Sequence, residues 1–141
     1  MVKKGDIEVI VSDKQLEREL VPLACFLAKK AKSRIHLISL IEVPRTLPLA
    51  TSLKQETQLA EALLAEALII TKKAGCDAEA EVVQVRDAAL AIIEEAREHR
   101  CAVILLGQGP KRDHRVHNDI GRIIPYVLTH APCCVWVIQD R

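Results

Sequence analysis

Aromatic residues are nearly missing from this chain. Among 141 residues there is one Phe, one Tyr and one Trp, with a single Met. Single-stranded bases would find no platform to stack on. An excess of one charge is missing too: 20 Lys and Arg stand against 19 Asp and Glu, a net of +1. No whole-molecule field then draws in nucleic acid or an anionic membrane, and nucleic-acid binding is not expected. No apolar run approaches the ~18 residues of a membrane span. The opening "MVKKGD" has no apolar signal-peptide core. Direct membrane insertion is therefore not expected, and a cytoplasmic location is. The cysteines are Cys25, Cys76, Cys101, Cys133 and Cys134, with no C-x-x-C among them. An odd count without that spacing implies neither a disulfide framework nor a zinc site, but free thiols in a reducing compartment. A Walker A lysine motif and a G-x-S-x-G elbow are also lacking. Nothing orients a base against a nucleophile, so no catalytic residue is assigned and the chain is not expected to be an enzyme.

What remains is a core of Ala, Val, Ile and Leu in a chain sized for one domain. Five apolar runs read as strands: 7–12, 34–41, 79–85, 102–106 and 134–138. The fourth, "AVILL", is apolar without a break, as in a central parallel strand covered on both faces. Helical stripes lie between the runs. Leu16, Leu20, Leu23, Leu27 and Ala31 mark the first, which Pro22 should kink or delay. Leu59, Leu63, Ala67 and Ile70 mark a long second helix, stopped by Gly75. Ala88, Ile92 and Ala96 mark the third. The fourth starts near Gly121, with Pro125 tolerated in its first turn. Strands alternating with helices predict βαβ units and a parallel sheet. The apolar segment "IEVPRTLPLATS" should pack over the carboxyl edge of that sheet, or serve as a lid or partner surface. His36 and His99 read as surface residues of ordinary elements.

One stretch draws attention: "LLGQGPKRDHRVHNDIGR", residues 105–122. Glycine lets backbone amides approach phosphate oxygens, and a helix amino end adds free N–H groups. Gly107, Gly109 and Gly121 could form such a cradle, in the region where open parallel sheets bind ligands. Lys111, Arg112, His114, Arg115 and His117 could gather round an anion or simply be solvated. His114 and His117 lie three apart, but no further ligand completes a metal site, so no metal is expected.

"VILLGQG" and "GRIIPYVLTHAPCCVWVI" carry a resemblance, with the βα alternation, across the whole chain, 1–141. It resembles the universal stress protein (UspA-like) family, whose members end in His-Ala-Pro-Cys-Pro-Val and an apolar strand. His130, Ala131, Pro132 and Cys133 match, and Cys134 replaces the second proline. The resemblance implies an α/β fold: an open five-stranded parallel sheet of order 3-2-1-4-5 with helices on both faces, adenine-nucleotide α-hydrolase-like. It implies a site at the switch point between strands one and four, for an adenine nucleotide such as ATP or another small anion. The candidate ligand-binding set is Asp13, Leu40, Gly107, Gly109, Gly121, Arg122 and Ile123. Asp13 matches the family's acidic residue near the nucleotide, and Leu40 a backbone contact to adenine. Nucleotide-binding members carry G-x2-G-x9-G-[ST], and this chain departs from it. Pro110 stands at the second glycine, one extra residue lies between the outer glycines, and Arg122 replaces the small hydroxyl. Lys14 and Gln15 replace the usual Gly-Ser after the aspartate. Proline has no N–H to donate, and a guanidinium is a different device from a hydroxyl. Conventional ATP binding is accordingly disfavoured.

The function so implied is a non-catalytic regulatory, stress-response domain. The alternatives are a slow ATP-hydrolysing or adenylating enzyme, or a ligand-free module for dimerisation or for a partner such as a transporter. The chain ends in "CCVWVIQDR", an apolar final strand that would be a sheet edge. As in the family's dimers, Val135, Trp136, Val137 and Ile138 would then lie at a homodimer interface.

Overall fold

The computed structural model describes residues 5–12, 14–108 and 120–139, with side chains omitted at 14–16, 120 and 121. In chain order the elements are β1 (Asp6–Ile10), α1 (Lys14–Ala31), β2 (Ile35–Glu42), α2 (Lys54–Lys73) and β3 (Ala78–Val85). They continue with α3 (Ala88–Glu98), β4 (Cys101–Gln108), α4 (Ile120–His130) and β5 (Cys134–Gln139). All four strand pairings are parallel, and the sheet order is β3-β2-β1-β4-β5. The five strands and the order expected above are both present.

Strand alternation divides the core in two. Ile7, Val9, Val11, Ile35, Leu37, Val103 and Leu105 pack with α1 and α2 on one face. Ile104 and Leu106 pack with Ala89, Ile92 and Ala96 of α3 and Ile124 and Val127 of α4 on the other. Leu37, Ile104 and Leu105 are fully enclosed, as the central position of their strands requires.

Two helices differ from the sequence reading. α2 buries Ala60, Leu64, Ala67 and Thr71, whereas Leu59 is 68% exposed. Its apolar residues are spread too widely round the axis to fix the inward face, and the small Ala side lets the helix approach more closely. α1 runs unbroken from Lys14 through Pro22, so no late start occurs. Pro22 lies on the exposed side, where water can replace the donor lost to the Arg18 carbonyl. Pro125 falls beyond the first turn of α4, not within it. It too is exposed, so the Gly121 carbonyl left without its helical donor is on the solvent side.

Candidate functional site

The carboxyl ends of β1, β2 and β3 open on a cleft of about 760 Å³, within the range of small-molecule sites. Ser12, Ser39 and Leu40 supply its floor, Val43, Pro44, Arg45 and Leu47 one wall, and Glu56, Leu59 and Leu63 of α2 another. Ser12 and Leu40 also border a smaller recess of about 30 Å³, together with Ile10, Leu106, Gly107 and Ile123. The two hollows thus meet at the switch point.

The wall formed by 43–53 is tied down by the end of β3. Gln84 Nε2 donates to the carbonyls of Leu49 (2.8 Å) and Thr51 (2.9 Å). Arg86 Nη1 donates to those of Val43 (3.3 Å) and Pro44 (2.5 Å). The segment therefore borders the carboxyl edge, and Leu47 and Leu49 stay exposed. Beside it, the Ala88 N–H donates to Glu42 Oε1 (3.1 Å) and the Leu90 N–H to Asp87 Oδ1 (3.2 Å). Two carboxylates thereby cap the amino end of α3.

Of the candidate residues, Leu40, Gly107 and Ile123 come together round the recess. Gly121 and Arg122 sit in the first turn of α4, and Arg122 is exposed. Asp13 and Gly109 lie outside the described residues, as do Pro110 and the Lys, Arg and His residues of 111–117. Ser39, Arg45 and Arg86 were not picked out from the sequence. They come from different strand ends with no local motif, and only the topology gathers them.

A second polar group lies at the opposite, amino end of the sheet. His36, read above as a surface residue, is buried at 6% exposure. Its Nε2 is 2.8 Å from Asp6 Oδ2, and its ring stacks on that of His99 at 4.1 Å and 17°. The cause is position: β2 is an inner strand, and His36 faces the carboxyl end of α3 beside Glu8. His99 in turn is 3.1 Å from Glu95 Oε2. Glu8 is completely buried, and neither carboxyl oxygen has a hydrogen-bond partner. Burial, aided by the nearby Glu95 charge, pushes its pKa up to about 9. Burial also pushes the Cys101 thiol up, and the Cys133 thiol to about 11. These thiols stay protonated at neutral pH.

β5 is one edge of the sheet. Val135 packs toward the α3–α4 side and Ile138 toward the α1 side. Trp136 and Val137 remain 39% and 36% exposed. Among the described residues, no helix is long and apolar enough to cross a membrane.

Comparison with known proteins bears on this architecture. A universal stress protein from Archaeoglobus fulgidus, solved in complex with dAMP, superposes with a TM-score of 0.73 at 18% identity, covering 98% of this chain and 99% of that one. A universal stress protein family member from Burkholderia pseudomallei gives 0.73 at 20% identity, covering 97% of each chain. An Arabidopsis thaliana family member with AMP bound gives 0.66 at 13% identity, covering 97% and 92%. At these identities the likeness is one of fold, the adenine-nucleotide α-hydrolase-like arrangement. No curated protein matches the chain. The model of the universal stress protein family matches residues 6–139. The chain belongs to the universal stress protein family.

Proposed function

We propose that the chain is a non-catalytic regulatory domain of the stress response that takes an adenine nucleotide in the cleft at the carboxyl edge. One observation carries this reading: the cleft of about 760 Å³ meets the recess of Leu40, Gly107 and Ile123 at the point where strand order reverses. The structures with dAMP and AMP bound, named above, support the same ligand class. A nucleoside monophosphate suits the chain better than ATP. Pro110 and Arg122 replace a donor and a hydroxyl of the loop that would grip a triphosphate. Among the described residues, Arg45 at the rim and Arg122 in the first turn of α4 are candidate contacts for one phosphate group. Among the described residues, neither the cleft nor the recess brings a nucleophile against an oriented base, which supports a binding role rather than catalysis.

Isothermal titration with AMP, dAMP, cyclic AMP and ATP, with and without magnesium, tests this. AMP should bind one per chain, more tightly than ATP, and without turnover. Arg122→Ala should weaken AMP while leaving adenosine unchanged. Release of phosphate from ATP would overturn the non-catalytic reading, and failure of every nucleotide to bind would overturn the site. The same proposal includes a cytoplasmic homodimer joined along β5, where Trp136 and Val137 leave apolar surface at an unpaired edge.

A further inference from the structure

The amino end of the sheet carries a ligand set separate from the nucleotide cleft. Glu95 and His99 lie one helical turn apart at the end of α3, and Glu81 projects from the edge strand β3 on the same side. One donor atom from each of the three lies within 4.8 Å of the others. Glu95 Oε2 and His99 Nε2 are already 3.1 Å apart. Two donors on one tetrahedral ion at ~2.05 Å stand about 3.3 Å apart, so this pair needs almost no adjustment. Glu81 is exposed and its side chain has no hydrogen bond or ion pair among the described residues, which lets it swing inward. His99 and Glu81 border an open hollow of about 420 Å³, with room for water on the ion.

Charge points the same way. Neither Glu81 nor Glu95 is salt-bridged to Lys or Arg among the described residues, whereas the neighbouring Glu79 is taken by Arg34 at 2.6 Å. Independently, Glu8 is wholly enclosed, unpartnered, and within electrostatic reach of Glu95. Carboxyl groups thus gather here with no Lys or Arg of the described residues bonded to Glu8, Glu81 or Glu95. The His99 ring is stacked on that of His36, itself fixed by Asp6, which restricts its orientation.

We propose that Glu81, Glu95 and His99 bind one divalent first-row transition-metal ion, with water completing its coordination. An imidazole nitrogen beside two carboxylates favours zinc, cobalt or manganese over magnesium or calcium.

The test uses the full chain stripped with EDTA and then dialysed free of it. Zn²⁺ titration calorimetry should show one ion per chain, and Co²⁺ should give a d–d spectrum without a thiolate charge-transfer band. His99→Ala, Glu95→Gln and Glu81→Gln should each weaken Zn²⁺ by at least about tenfold, with Glu79→Gln unchanged. Circular dichroism checks each fold. Glu81→Gln, on an exposed side chain, keeps the test decisive if His99→Ala disturbs the ring stack. Absence of saturable binding, binding indifferent to Glu81→Gln and Glu95→Gln, or a thiolate–cobalt band would each overturn the site.

Discussion

Replacing Glu8 with Gln should change how stability depends on pH. Glu8 is enclosed by β1, its neighbouring strands and α3, and its carboxyl has no partner. Its pKa rises from the ordinary 4.5 to about 9, so the native state holds the proton where the unfolded chain has released it. Between those two values the native protein binds more protons than the unfolded one, and stability therefore falls as pH rises. The group's favourable contribution is complete below pH 4.5 and is lost progressively up to about pH 9. Each pH step in this window costs about 1.4 kcal/mol. From pH 5.5 to 8 the loss is then roughly 3 kcal/mol, a large part of the ~5–15 kcal/mol that holds a domain folded. Glutamine keeps the shape but cannot ionise, so the loss should vanish in Glu8→Gln. The amide is still buried, and its own unmet hydrogen bonds give an offset that does not vary with pH.

The assay is urea unfolding of both proteins in EDTA at half-unit steps from pH 5.5 to 8, with m compared at each step. Subtracting the two profiles cancels the carboxylates that lie away from Glu8, leaving Glu8 and its coupling to Glu95. The difference should grow in favour of Glu8→Gln by about 3 kcal/mol toward alkaline pH. Parallel profiles, separated by a constant within about 0.5 kcal/mol, would show that Glu8 is not held neutral and would refute the reasoning.

Two further outcomes follow from the fold. A Cβ on Gly5 would lie 2.6 Å from the Arg100 carbonyl oxygen and 2.9 Å from the Ala102 nitrogen, both backbone. Gly5→Ala should lower stability by about 1–3 kcal/mol in calorimetry, and an unchanged Tm would show that β1 and β4 are not held this closely. Val137→Lys should convert the proposed dimer to monomer in light scattering, because an edge-strand charge opposes strand pairing; a persisting dimer would place the interface elsewhere.

How much of this was legible depended on whether the signal was local. "AVILL" announced a central strand because both its faces are covered, and β4 is such a strand. Gly75, with φ of +75°, ended α2 as glycine should. Lys32 and Arg100, which follow α1 and α3, also take positive φ, at 53°. No residue type signals that, because lysine and arginine rarely adopt it. The inward face of α2 was misjudged for a related reason. "LAEALLAEALII" is apolar on more than half its circumference, and the side that packs is decided by α1 and the sheet, which lie far away in sequence. The cleft was legible only in part. Leu40, Gly107 and Ile123 came from a resemblance, while Arg86 became visible only when the end of β3 was set beside residues 43–53.

The amino-end cluster was missed although the information was present, and the reason lies in reading elements one at a time. In "DIEVIVS" a glutamate among alternating apolar residues looks like the outward position of a half-exposed strand. Order 3-2-1-4-5, however, puts β1 in the middle, and a middle strand of a doubly covered sheet has no outward face. Glu8 must then be buried, and its register partner His36 must be buried beside it. A helix returning antiparallel over that face must end there, which brings Glu95 and His99 to the same place. Topology applied to the charged residues of inner strands therefore locates the cluster before any coordinates do. An acid kept in such a position loses its water and lowers stability at neutral pH. A cation held by Glu81, Glu95 and His99 would reduce that cost, because a positive charge nearby favours the ionised form of Glu8.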